Sequence, residues 1–257
     1  MNRFATVEYQ QTEVISCAQN MEDVLLFRAL FGKREGFYVD VGAGDPNWDS
    51  VTNWFYRLGW RGINIEPNPT IFPIIQQWRP RDINLNIGIS DNQGVLPYYQ
   101  VQQNGLGHGW GLSSFDPGTR DLAGKFGLEV SVVEVQVKSL WDSIVEYIPA
   151  AGVDFLKIDV EGLEKQVIDS ANLSAWQPKI ICAEAVEAAS AKPSFGGWEH
   201  LITVQNYDFA IFDGVNNYYV HNKYPEIFKQ FLAGVNVSDR YRRATLDDFN
   251  FEDWRAK

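Results

Sequence analysis

The feature that most constrains the fold is a repeated alternation of short apolar runs with amphipathic segments, opened by a run that stops at two glycines. Phe37 to Val41 is a compact apolar strand ending in Gly42-Ala43-Gly44. Val51, Trp54, Phe55 and Leu58 then recur at i, i+3, i+4 and i+7, which predicts an amphipathic helix stopped by Gly59. Gly62 to Ile65 reads as a second strand closed by Glu66. Asn68-Pro69 reads as the N-cap and first turn of a helix over Ile71 to Trp78. Upstream, Glu22 to Phe31 has the pattern of a short helix. Ile83, Leu85, Ile87 and Ile89 alternate strictly, as one strand does, and Asn92-Gln93-Gly94 turns the chain into Val95 to Val101. Gly105 to Ser114 fits neither period and reads as a loop. Strands follow at Val130 to Val137, Phe155 to Ile158 and Ile180 to Ala183, with helices at Leu140 to Ile148 and Leu163 to Ser170. Phe209 to Phe212 and Tyr218 to Val220 flank Asp213-Gly214-Val215-Asn216-Asn217, a hairpin. This order predicts an α/β fold: an open, mostly parallel sheet, helices on both faces and a C-terminal antiparallel hairpin. Ligands of such sheets lie beyond the carboxyl ends of the strands.

At 257 residues, with no repeat and no Pro/Ser-rich linker, the chain is expected to be a single domain over 1–257. Within it, 1–35 reads as an N-terminal helical extension, 36–222 as the catalytic core and 223–257 as a tail. A hydrophobic share of 45% and a charged share of 21% exclude a disordered chain. The formal net charge of −11 argues against nucleic acid and anionic membrane surfaces as partners. The one basic cluster, Asp239-Arg240-Tyr241-Arg242-Arg243, reads as solvated surface. No run of about 18 apolar residues occurs, and Met1 to Gln10 lacks the layout of a secretion signal, so a cytoplasmic location is expected. Cys17 and Cys182 cannot build a disulfide framework or a four-thiolate zinc site. Nine tryptophans are many for this length; most are expected in the core, and flat rings also serve sugar-binding surfaces. Phosphate-loop, zinc-protease, nucleophile-elbow and C-x-x-C signatures are absent, which removes the main supports of kinase, hydrolase and zinc-enzyme readings.

The loops at the strand ends carry the functional signal. Gly42 and Gly44 let backbone approach a ligand and take up positive φ. Glu66 follows Gly44 by twenty-two residues, at the end of the adjacent strand, where a carboxylate grips a ribose diol. The competing reading is a tight turn beside a solvated glutamate. A dinucleotide fingerprint needs a third glycine where Asn47 stands, and Asp40, Asp45 and Asp49 crowd a site that a pyrophosphate would need free of negative charge. S-adenosylmethionine, with a ribose, an ammonium and a sulfonium, suits these acids better than NAD.

The run from Phe37 to Pro69, together with Phe155 to Gly162 (FLKIDVEG), resembles the FkbM-type S-adenosylmethionine-dependent methyltransferases. Gln19 to Val24 and Phe212 to Asn216 are similar to that family too, so the resemblance covers roughly residues 16–220. It implies a class I methyltransferase, Rossmann-like sheet of seven strands with the last hairpin inserted antiparallel. It also implies methyl transfer to a hydroxyl, with sugars and natural products as acceptors. By position, Asp40, Gly42 and Gly44 would contact the methionine part of the cofactor, Glu66 the ribose, and Ser90 and Asp91 the surroundings of the adenine. Asp213 and Asn216 would face the acceptor, while Asp213-Gly214 also suits the hairpin turn for purely local reasons.

An alcohol needs a group to take its proton or lower its pKa, which a general base or a divalent cation supplies. Asp159 and Glu161, two residues apart at the end of the fourth core strand, are candidates. Each also suits the N-cap of the helix that follows. Lys157 is expected to point the other way and to be structural. Glu184, at the mouth of the next strand, would neighbour Asp159 and offer with it a pair of ligands for Mg²⁺, with no third certain ligand. His108, in the glycine-rich loop, is a candidate proton acceptor or an incidental loop histidine, and Ser113 of that loop is a further candidate for acceptor contact. His200 and His221 have no motif around them. The favoured function is an O-methyltransferase acting on a sugar or glycosylated small molecule. The alternatives are an NAD-dependent oxidoreductase or epimerase, and a non-catalytic binding module.

Overall fold

The apolar runs do become strands, because residues two apart share a face and each run has a layer to bury on either side. The computed structural model describes residues 12–102 and 109–249. In chain order these form β1 (Val14–Ser16), α1 (Glu22–Ala29), β2 (Phe37–Val41), α2 (Asn53–Arg57), β3 (Arg61–Ile65), α3 (Phe72–Trp78), β4 (Ile83–Leu85) and β5 (Gly88–Ile89). Next come β6 (Gly94–Val101), α4 (Thr119–Lys125), β7 (Val130–Lys138), α5 (Leu140–Ile144), β8 (Phe155–Ile158), α6 (Glu164–Asp169) and α7 (Leu173–Trp176). The described chain ends through β9 (Ile180–Glu184), α8 (Glu199–Thr203), β10 (Tyr207–Phe212), β11 (Asn216–His221), α9 (Pro225–Lys229) and β12 (Tyr241–Arg243).

The central sheet has seven strands in the order β10-β11-β9-β8-β2-β3-β4. Strands β4, β3, β2, β8 and β9 are mutually parallel, and β11 runs antiparallel to both β9 and β10. This is the mostly parallel, Rossmann-like sheet that the resemblance implied, with the last hairpin's second strand inserted antiparallel. Alternation then distributes the core. Val39, Val41, Ile63, Ile65, Leu156 and Ile158 pack on one face with Leu140, Val167, Leu173 and Ile202 of the helices. Tyr38, Phe155, Ile180 and Tyr218 pack on the other with Leu25, Phe27 and Phe55. Each fully buried aliphatic or aromatic side chain contributes about 1.5–3 kcal/mol, so the two layers hold the strand tips rigidly.

Several sequence expectations shift. The alternating run Ile83 to Ile89 is not one strand: β4 closes the central sheet, while β5 crosses to a second sheet of order β5-β7-β6. Gly88 makes the crossing possible, since a Cβ there would lie 2.3 Å from the Phe115 ring. Helix α3 runs from Phe72 to Trp78, one residue inside the expected span, and Asn68 acts as its cap: its Oδ1 accepts from Thr70 N (2.9 Å) and Ile71 N (3.4 Å), and its carbonyl from Phe72 N (3.0 Å). The basic tail is not simply solvated surface: β12 pairs in parallel with β1, and Arg243 donates to the Ala18 and Gln19 carbonyls. Among the described residues no helix is long and apolar enough to cross a membrane.

Candidate active site

The parallel strands β2, β3, β8 and β9 all present their carboxyl ends to one side of the sheet, and a cleft of about 680 Å³ opens there. Its floor is the Val41–Asp45 loop, and Glu66, Asp159 and Glu184 stand at the ends of β3, β8 and β9. The three-stranded sheet supplies a wall through Ile89 and Tyr98, and the segment Gly111–Phe115 lies against it.

The two glycines of the floor differ. Gly42 has φ +77°, and a Cβ there would sit 1.8 Å from the Asp159 carbonyl oxygen, so its smallness serves the contact between β2 and β8. Gly44 has φ +59° and open space where a Cβ would be, so its bare face belongs to the cleft. Glu66 ties this loop to its own. Its Oε2 accepts from Gly44 N (2.8 Å), its Oε1 accepts from Asn68 N (2.8 Å), and the residue is 4% exposed. The solvated-glutamate alternative is therefore not what the structure shows. Burial pushes its carboxyl up to about 7, against the two amide donors. Two of its four lone-pair sites remain for a ligand.

Asp40 does not line the cleft. It is buried beneath the floor, where Thr52 Oγ1 donates to its Oδ2 (2.8 Å) and Lys157 Nζ stands 3.3 Å from its Oδ1. Asp40 is thus not placed for the expected direct contact, and the side chain that meets the cleft in its stead is Lys157, expected from the sequence to point the other way. Lys157 in fact lines the cleft, donates to the Gly42 carbonyl (2.7 Å) and lies 3.3 Å from Asp159. Burial alone would lower its pKa; Asp159 and Asp40 outweigh that and hold the ammonium charged. The sequence signal was available in the i, i+2 spacing of Lys157 and Asp159, which shares one face of a strand.

Neither Asp159 nor Glu161 caps helix α6. No side chain caps the start of α6; Glu164 Oε1 instead accepts from Gly162 N (3.1 Å) and Val160 N (3.4 Å) and ties down the loop that precedes the helix. Glu161 is held at φ +54°, a left-handed conformation that costs a non-glycine residue about 1–2 kcal/mol. Its carbonyl accepts from Ser114 Oγ (3.0 Å), and its carboxylate enters the cleft. Asp159, Glu161 and Glu184 each offer an oxygen within 4.8 Å of the others. Buried oxygens of Glu161 and Glu184 have no hydrogen-bond partner in the protein. Burial, then Asp159 and neighbouring glutamates, raise both carboxyls, with Lys157 opposing. Such a group takes up protons or binds a hard cation through oxygen. Glu161 is the third acid that Asp159 and Glu184 lacked in sequence.

The remaining candidates divide. Ser113 lines the cleft, with its Oγ accepting from Val101 N (3.0 Å). Asn216 lines it and donates from Nδ2 to Glu22 Oε1 (2.9 Å). Glu22, also in the cleft and unnoticed in sequence, is 4% exposed and is pushed up to about 7 by burial. Asp213 lies outside the cleft lining: it accepts from Val215 N, Asn216 N and Tyr218 OH, so its carboxylate builds the hairpin. Ser90 and Asp91 form a local turn past β5, and Ile87, Gly88 and Ile89 meet the cleft in their place. His108 lies outside the described residues.

Residues 40–210 match the family model described as the methyltransferase FkbM domain. No curated protein matches the sequence. Among solved structures, a TehB-like SAM-dependent methyltransferase from Corynebacterium glutamicum is similar at 9% identity and a TM-score of 0.42, over 78% of this chain and 87% of its own. The Methanococcus jannaschii fibrillarin pre-rRNA processing protein is similar at 11% identity and a TM-score of 0.39, over 74% and 68%.

Proposed function

This chain belongs to the FkbM methyltransferase family, and from that premise we propose that it moves a methyl group from S-adenosylmethionine to a hydroxyl of a sugar or glycosylated small molecule. The observation that carries the reading is a single cleft with Gly44 and Glu66 in its lining together with Asp159, Glu161 and Glu184. The residues fit the donor: Glu66 keeps unused acceptor sites for a diol, Gly44 leaves space, and Ile71, Ile87 and Ile89 offer apolar surface to a base. Once bound, S-adenosylmethionine supplies a methyl carbon already activated by its sulfonium.

The protein's own task is to hold the acceptor oxygen in line and to take its proton. Glu161 suits the second task, since a carboxyl with raised proton affinity is a strong base once ionised, and its unpartnered oxygen is free for a hydroxyl. Lys157 keeps Asp159 and the Gly42 loop in register beside it. Trp48, at the cleft lining, offers a flat ring for a sugar face. Asp159, Glu161 and Glu184 are also the residues that would hold Mg²⁺, which lowers the pKa of a bound hydroxyl; three carboxylate oxygens within 4.8 Å suit a hard cation.

The test is transfer of labelled methyl from S-adenosylmethionine to a panel of glycosides. Glu161→Gln is expected to bind S-adenosylhomocysteine as the native protein does and to lose about 10²–10⁴ in turnover. A fully active Glu161→Gln enzyme would remove Glu161 as the base. EDTA treatment with Mg²⁺ restoration reads the ion directly, and indifference to both discards it.

A further inference from the structure

The cleft has a strongly one-sided charge. Asp45, Asp49 and Glu66 line it on the Gly44 side, and Glu22, Asp159, Glu161 and Glu184 line it around the tips of β8, β9 and β11. Among the described residues Lys157 is the one ammonium or guanidinium in that lining, and it is already spoken for by Asp40, Asp159 and the Gly42 carbonyl. An anionic group entering the cleft thus finds no free cation. It finds a continuous acidic strip instead: Glu184 and Asn216 are register partners on β9 and β11, and Asn216 Nδ2 donates to Glu22 Oε1. Glu22 is fixed in place by Asn216 and by Asn20 N (2.7 Å), so its charge cannot swing away from a ligand.

We propose that the acceptor end of this cleft admits neutral and amino-bearing hydroxyl compounds and rejects phosphorylated, carboxylated and nucleotide-linked ones, with Glu22 as a specificity-determining residue. The proposal rests on the methyltransferase reading and narrows its acceptor class. The excess of carboxylates persists through occupancy, because a donor of single net positive charge and one divalent ion together leave acids in the majority. In the unoccupied cleft it also persists if the buried glutamates hold protons, since Asp45 and Asp159 still outnumber the one ammonium. One uncompensated carboxylate about 8 Å from an anion, at an effective dielectric of about 40, disfavours it about fivefold, and several act here together.

The field is readable without turnover, through Trp48, a lining residue that is 39% exposed. Its emission, taken as the difference between the native protein and Trp48→Phe, is quenched in turn by iodide, caesium and acrylamide, each scaled to a free tryptophan amide. Iodide is expected to be at least about fivefold less effective than acrylamide while caesium is not, and Glu22→Gln is expected to recover part of the iodide access. Glu184→Gln gives a second variant for the same readout should Glu22→Gln fold poorly. With methyl transfer in hand, a methyl glycoside and its 2-amino counterpart should be used at least about tenfold better than the matched uronate and 6-phosphate, and Glu22→Gln should narrow that ratio. Equal iodide and acrylamide access, or a phosphate or uronate methylated as well as its neutral parent, overturns the proposal. Failure of S-adenosylhomocysteine to bind sinks the methyltransferase reading instead, and the quenching ratio still decides the charge of the cleft.

Discussion

Gly42→Ala and Gly44→Ala are expected to behave differently although the two glycines stand two residues apart in one loop. Both have positive φ, at +77° and +59°, so each alanine carries the left-handed cost of about 1–2 kcal/mol. At Gly44 nothing lies within 4 Å of the added carbon, and the cost to stability stops there. At Gly42 the carbon falls 1.8 Å from the Asp159 carbonyl oxygen and 2.9 Å from its carbonyl carbon. Those are backbone atoms of β8's end, so relief requires β2 and β8 to part, an overpacking cost of about 1–3 kcal/mol more. For a chain of this size Gly42→Ala should lower Tm by about 5–15 °C and Gly44→Ala by about 2–6 °C. The ligand result runs the opposite way. Gly44→Ala puts a methyl group into the cleft and should lose more S-adenosylhomocysteine affinity per degree of Tm lost than Gly42→Ala does. Thermal denaturation and calorimetry on the two variants make the comparison. A Gly42→Ala protein as stable as Gly44→Ala would refute the assignment of Gly42 to strand packing.

Two further outcomes follow from the buried charges. Burial raises Glu22 and Glu66 to about 7 and Asp23 to about 6, above their unfolded values, so the folded state binds more protons than the unfolded one across roughly pH 4–7. The stabilisation is complete below that window and is lost as pH rises through it; His221, lowered by burial, opposes with one group. Tm of the ligand-free protein should therefore fall from pH 5 to pH 7.5 at constant ionic strength, and a rise would contradict the burial of these acids. Lys157→Met leaves Asp40 1% exposed with its cationic partner gone, at a cost of about 3–5 kcal/mol in chemical denaturation. A change below about 1 kcal/mol would show that Thr52 alone satisfies Asp40.

The central strands were legible because each is an apolar run bounded by glycine or an acid: Phe37–Val41 and Phe155–Ile158 fall where the pattern ends them. The same rule failed at Ile83–Ile89, since period-two alternation continues unchanged through a change of sheet, and only the packing of Phe115 against Gly88 reveals the break. At the site, Glu66, Glu161 and Glu184 were legible from their places at strand ends. Asp40 was misplaced because the motif does not say which face of β2 the floor covers. Glu22 was missed because it lies on α1, far along the chain from the strand-end loops, and only the fold brings it into the cleft lining beside Asn216. Asp213 had two readings in the sequence, and the local one holds: an acid in a hairpin serves the turn first, and here Val215, Asn216 and Tyr218 occupy it.

Titration of S-adenosylhomocysteine and of NAD into the native protein and Glu66→Gln tests most directly whether the floor between β2 and β3 receives the methyl donor. Binding of the thioether at one site, silence with NAD, and at least about a tenfold loss of thioether affinity in Glu66→Gln are the predicted results, the last reflecting about 1.5–3 kcal/mol of charge-assisted hydrogen bonding. NAD binding in place of the thioether, or a Glu66→Gln protein that binds the thioether as tightly as the native one, would contradict it.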